Sequence, residues 1–385
     1  MNSAPTYAIP ARELNTIRAL HWISRFGWLR GRELGALMWP SPCNINSIML
    51  FEAQLEDKEE DEAKEARLQT QRKLANKLID RLRSSNLVIS RPLPKRAGNA
   101  IVLSTAGARH LQRSLNIHVH PGDKWGRSTD GRWHAPTAWE HELLVTLVML
   151  DFLSLGDEVK TEHEIRAENP GLHKYPDGLA KYTVCTDNKF VEEVAWIEVE
   201  SADKSGAKML ALTKSLTKVQ RGMAPVLSGW KPSMSLVAYR GDMLDLSGKP
   251  IDHKNRIVSA IRRHIGADLS LNFQKVQLKD SSYHVRSLWT EHVTVYPLDL
   301  NDPKIKFSTS AFHSNKHGTF VNHSVDKTGH EWTIKVYKYA DRFRWEIWDS
   351  PEPHSQLEQP RDAFLIEDLE QAFRIALNRW RTKFY

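Results

Sequence analysis

Cysteine is almost absent: the 385 residues contain two, Cys43 and Cys185, in different segments and without metal-ligand spacing. That excludes a disulfide framework and a cysteine zinc site, and a reduced cytoplasm is the expected compartment. No apolar run reaches membrane-spanning length, and Met1 to Pro10 lacks a basic-then-apolar signal pattern, so no membrane partner is expected. Acidic residues are missing from one long stretch. Residues 66–115 hold a single acid, Asp80, against eleven Lys/Arg, whereas residues 56–65 hold seven acids and two lysines. The whole-chain net charge of +7 hides this asymmetry. A basic block of this kind on a compact domain is an electrostatic footprint for nucleic acid.

The elements around that block have a recognisable order. Leu14, Ile17, Leu20 and Ile23 recur at helical spacing and Gly27 ends the run. Arg32 to Met38 gives a short second helix, stopped by Pro40 and Pro42. A third helix carries Leu68, Leu74, Leu78 and Leu82 inward and shows Gln71, Arg72, Lys73, Asn76 and Lys77 outward. The stretch Asn44 to Glu65 either extends that helix or forms an acidic flap. Leu87–Ser90 and Ala100–Leu103 then flank a basic tip containing Arg91, Lys95 and Arg96. Three helices and a basic hairpin are the order of a winged helix-turn-helix. The third helix would enter the major groove of double-stranded DNA, with the wing over phosphate or minor groove.

Further along, Tyr175-Pro176-Asp177-Gly178 is followed by Trp196-Ile197-Glu198-Val199-Glu200-Ser201. If Asp187-Asn188 form a two-residue turn, the strands pair by i + j = 375 and Asp177 lies opposite Glu198. Side chains alternate along a strand, so Glu198 and Glu200 share a face while Ala195, Ile197 and Val199 point into a core. Three acids this close repel one another unless a cation sits among them, and hard oxygen ligands suit Mg²⁺ or Mn²⁺.

This arrangement resembles the PD-(D/E)xK nuclease superfamily. Pro176-Asp177 matches its first motif and Glu198-Val199-Glu200 its second, with Glu200 where lysine is usual. A minority of its restriction endonucleases use Glu-x-Glu. The resemblance implies Asp177 and Glu198 as metal ligands and Glu200 as the residue that handles the water. On the apolar helix starting at Trp139, Glu142 is the implied further metal ligand, with His141 behind it. Lys208 and Lys214, with Lys218, lie on the helix that follows Glu200 and are candidates to replace the missing lysine. Glu158 to Ile165 reads as a strand, Ser235 to Tyr239 as a buried strand, and His253 to Ile265 as an amphipathic helix.

His118-Val119-His120 matches the His-apolar-His pattern of rolling-circle and conjugative nicking enzymes, which attack with a tyrosine. The pair is bounded by Pro and Gly with no apolar strand around it, which favours a connector. From Leu288 the pattern becomes alternating strands closed by a helix over Ile366 to Lys383, a small α+β unit.

The expected fold is therefore α/β and α+β multidomain. Residues 1–115 form a winged helix, 116–135 a linker, 136–285 a nuclease-like mixed sheet with flanking helices, and 286–385 a small α+β domain. Over about residues 12–265 the combination resembles the replication-relaxation family of plasmids and mobile elements. That resemblance implies a DNA-binding protein of replication, transfer or mobilisation, associated with the nucleoid and with other replication or transfer proteins. A non-catalytic initiator or transcription regulator on the same scaffold is one alternative. A tyrosine nicking enzyme with a His-x-His metal site is another.

Overall fold

The row of Ile17, Leu20 and Ile23 forms one buried face of α1 (Ala11–Phe26), although Leu14, expected in the same row, is 45% exposed. Gly27 ends the helix at φ 77°, a left-handed conformation that costs glycine little. The structure is a computed structural model. It describes the chain except residues 1–9, 41–57, 130–131, 187–188, 202–206, 245–246, 266–267, 280–283, 297–312, 315–318, 327–329, 340–341, 350–359, 361, 367–368 and 384–385. It has a mixed α/β architecture with several sheets. By packing, the chain divides into one unit of residues 1–170 with 278–286, and a second of residues 171–277 with 287–385. Among the described residues no helix is long and apolar enough to cross a membrane.

In the first unit, α2 (Gly31–Met38) packs on α3 (Lys58–Ser84), whose helical start at Lys58 takes in the acidic residues from Glu59 to Glu65. The face of α3 that turns inward carries Ala75, Leu78, Ile79 and Leu82; Leu74 is exposed, so the leucine row misplaces the stripe. The approach of the two helices is close. A Cβ on Gly35 would lie 2.9 Å from the backbone oxygen of Gln71. Arg30, buried, holds Glu33 through Nη2 at 2.6 Å and Nε at 2.8 Å and donates to the Ala97 carbonyl, tying the start of α2 to the hairpin. That hairpin pairs β1 (Val88–Pro92) with β2 (Asn99–Leu103) and is followed by α4 (Thr105–Leu115).

The tip of the hairpin is packed down rather than projecting. Leu93 and Ala97 are buried with Trp28, Val102 and the Trp139, Leu143 and Leu147 row of α5 (Trp139–Ser154). The segment expected to be a connector holds a small hairpin, β3 (Arg127–Thr129) with β4 (Arg132–His134), and Trp125 lies 5.0 Å from Trp28. The strand expected over Glu158 to Ile165 is only β5 (Glu158–Thr161). Thr161 and Glu164 cap each other's backbone N–H groups, a capping box that starts α6 (Glu162–Glu168) instead. Arg25 fixes this turn by pairing with Glu164 at 2.6 Å.

In the second unit, β6 (Gly178–Thr186) and β7 (Lys189–Glu200) are antiparallel, and β7, β8 (Met234–Arg240) and β9 (Leu269–Lys279) are parallel neighbours. With β10 (His284–Val295) the order in one sheet is β10-β9-β8-β7-β6. The parallel crossovers are α7 (Ala207–Gln220) and α8 (His253–Arg262), the latter burying Ile257 and Ile261. A second, antiparallel sheet runs β11 (His313–Ser314), β12 (Phe320–Val325), β13 (Glu331–Tyr339), β14 (Arg342–Trp348) and β15 (Asp362–Ile366). Against it α9 (Leu369–Lys383) buries Ala372, Phe373, Ala376, Leu377 and Trp380. Trp332 and Trp345 are buried in the same cluster, so these aromatics belong to the core.

Candidate functional site

The β6–β7 register follows the sequence rule: Gly178 opposes Ile197 and Thr186 opposes Lys189, each pair summing to 375. The turn itself, 187–188, lies outside the described residues. Asp177, just ahead of β6, donates its backbone N–H to the Ile197 carbonyl at 3.0 Å, one residue off the 375 register, so the paired ladder ends at Gly178 and the expected pairing of Asp177 with Glu198 is not part of it. Ala195, Ile197 and Val199 are buried as core residues, and Glu198 and Glu200 alternate to the opposite face. Both glutamates are essentially inaccessible and Asp177 is nearly so.

A carboxylate in such a place needs hydrogen-bond donors. Asp177 Oδ2 accepts the Val199 backbone N–H at 2.7 Å. Glu198 Oε1 accepts the Trp196 indole N–H at 2.8 Å, and Oε2 accepts from Lys174 Nζ at 2.7 Å. Lys174 also donates to the Tyr175 carbonyl at 3.2 Å, which holds the ammonium against the approach to β6. Glu200 stands beside Tyr239 in the parallel register of β7 and β8. Burial raises the Tyr239 pKa, partly offset by Lys254.

Lys174 is the residue that the sequence reading missed. It brings a lysine to the acidic pair from the loop before Asp177 rather than from the Glu-x-Glu strand. Its signal was position alone, three residues ahead of Asp177. Of the helix lysines, Lys214 and Lys218 line the same cavity as Lys174, whereas Lys208 is exposed on the first turn of α7. Among the described residues no group of three or more His, Cys, Asp or Glu side chains is arranged to hold a metal ion.

The remaining candidates lie in the first unit. Glu142 Oε2 accepts the indole N–H groups of Trp28 at 2.5 Å and Trp125 at 3.0 Å, so this acid ties α5 to two aromatic anchors. On α3, Arg72, Lys73 and Lys77 are exposed together, while Gln71 donates to the Trp39 carbonyl at 2.5 Å and so closes the end of α2. In the hairpin, Arg91 lies 5.9 Å over the Trp133 ring, Lys95 pairs with Glu140 at 2.7 Å, and Arg96 is exposed. The exposed rings of His118 and His120 meet edge to face, with 3.2 Å between their Nε2 atoms.

Compared with protein-family models, with curated proteins and with solved structures, the chain matches none.

Proposed function

We propose that this chain is a DNA-binding protein of a mobile genetic element whose second unit is a divalent-metal nuclease-like fold that cuts or nicks DNA in replication, transfer or mobilisation. The carrying observation is the two buried acids at the open end of the β6–β7 hairpin, Asp177 accepting the Val199 N–H and Glu198 holding Lys174. The order α1, α2, α3, β1, β2 supports a winged helix in the first unit, and the exposed Arg72, Lys73 and Lys77 support duplex binding.

Asp177 and Glu198 would hold Mg²⁺ or Mn²⁺. The donor chemistry suits it: Mg²⁺ is commonly held by one or two carboxylates and completed by water and substrate phosphate, with no all-protein cage. When bound, such an ion lowers the pKa of its water and stabilises charge on the phosphate. Lys174 would neutralise charge beside Glu198, and Glu200 would orient or deprotonate the attacking water.

The Lys174–Glu198 ion pair also favours a second reading, a non-catalytic initiator or regulator, because an ammonium already balances one of the acids. One experiment separates the two. Purified protein is incubated with supercoiled DNA and Mg²⁺ or Mn²⁺, with EDTA as control. Metal-dependent cutting that Asp177→Asn and Glu198→Gln abolish, with DNA binding intact, is the expected result. No cutting by the parent, together with a raised melting temperature in Asp177→Asn, sinks the nuclease. Nicking that survives Asp177→Asn but stops when His118 or His120 is changed overturns both in favour of a tyrosine enzyme.

A further inference from the structure

A cavity of about 400 Å³ opens in the second unit beside Lys174. Its size falls within the range of small-ligand sites. One face of α7 supplies Lys214, Ser215 and Lys218 at helical spacing, the loop before β6 supplies His173 and Lys174, and Trp196 closes the side toward β7. The other lining side chains are aliphatic. Among the described residues the lining thus holds three lysines and a histidine, and no acid. An apolar wall with one strongly cationic quarter fits a ligand that has an apolar, planar part and a compact anionic part.

We infer that this cavity seats a nucleotide carrying a phosphomonoester, its base against the aliphatic wall and its phosphate among Lys174, Lys214 and Lys218. Lysine ammonium groups are compact point charges suited to phosphate. A monoester carries about −1.5 to −2 charge near neutral pH. An internal phosphodiester carries a single negative charge, so a cationic lining gains more from the monoester, even with Lys174 shared with Glu198. Two sources share this chemistry, a free mononucleotide and the phosphorylated end of a DNA strand. Lys174 bonds Glu198 and lines the cavity at once, so the ligand lies next to Glu198. Choosing the strand end as the source rests on the nuclease reading; binding of the nucleotide does not.

The test uses the full chain in metal-free, phosphate-free buffer, with affinity read by titration calorimetry. The ligands are dTMP, thymidine, and a short single-stranded oligonucleotide with a 5′-phosphate or a 5′-hydroxyl. Loss of charge-assisted hydrogen bonds is worth about tenfold or more in affinity. Thymidine is therefore expected to bind at least that much more weakly than dTMP. Lys214→Ala with Lys218→Ala should weaken dTMP similarly, the two Lys→Arg changes should keep most of the affinity, and Lys231→Ala, an exposed charge outside the lining, should change nothing. Melting temperatures confirm that each variant folds. Equal affinity for dTMP and thymidine, or unchanged dTMP affinity in the double alanine variant, overturns the assignment. Displacement of dTMP by the phosphorylated oligonucleotide, and not by the hydroxyl one, identifies the strand end; failure of both to displace it identifies the free nucleotide. Absence of cutting with dTMP binding intact sinks only the nuclease reading. Cutting without dTMP binding sinks only this one.

Discussion

Lys174 Nζ and Glu198 Oε2 are 2.7 Å apart, and the glutamate side chain is fully buried while the lysine retains partial exposure. The pair is asymmetric in what happens when it is broken. Lysine can turn to water; the glutamate cannot.

Removing the lysine should therefore cost more than removing the acid. Leaving a buried charge uncompensated costs about 3–5 kcal/mol, and the retained Trp196 bond places Lys174→Met toward the lower end. Glu198→Gln should cost less, and the double variant should recover much of the loss. Chemical denaturation of the three variants measures it; a Lys174→Met protein as stable as the parent would show that the ammonium does not balance Glu198.

The exposed cations of α3 are expected to neutralise DNA phosphates. Changing Arg72, Lys73 and Lys77 to Ala should weaken duplex binding and flatten its salt dependence, by about 0.9 unit of log–log slope for each phosphate that is no longer neutralised. Anisotropy titrations at several salt concentrations read both quantities. Identical affinity and slope would remove α3 as the reader.

Gly35→Ala sets two effects against each other. Alanine gains about 1 kcal/mol of helix propensity over glycine. The new methyl would lie 2.9 Å from the Gln71 backbone oxygen, which no rotamer change relieves. Overpacking of this kind costs about 1–3 kcal/mol. Net destabilisation is expected, seen as a lower denaturation midpoint; a gain in stability would mean that α2 and α3 separate freely.

Asp157, after the C-terminus of α5, is pushed up from 3.8 to about 6 by burial. The folded protein therefore holds this proton more tightly than the unfolded chain. The resulting penalty is absent below the unfolded value, grows as pH rises through about 6, and is complete above it. Asp157→Asn should raise the melting temperature near pH 8 and have little effect near pH 4. A shift of equal size at both would contradict the assignment.

The hairpin register was legible because a one-residue slip would have turned every acid of β7 to the core face. The α9 stripe was legible because Phe373, Ala376, Leu377 and Trp380 keep helical period without interruption. The stripe on α3 was not: small Ala75 packs beneath Gly35, and leucine content pointed elsewhere. The helix at Glu162 had a readable signal, Thr161 with Glu164 three residues on, that strand composition obscured. Lys174 lies on an irregular loop, where no periodicity says which way a side chain turns. The docked hairpin tip was hidden for a related reason, since Leu93 and Ala97 among basic residues look like incidental apolar positions until α5 covers them.

The β6–β7 pairing has a consequence for the order of folding. Asp177 to Val199 spans 22 residues and Lys174 to Glu198 spans 24, both closed by the β6–β7 hairpin and the loop just ahead of it. Pairings of that separation close early, whereas the parallel ladders to β8 and β9 wait for longer loops around α7 and α8. Glu198 and its counter-charge Lys174 are thus joined by a short loop closure. Substitutions inside this hairpin are expected to slow refolding, and those at the β8–β9 ladder to hasten unfolding instead, a contrast that φ-values would read directly.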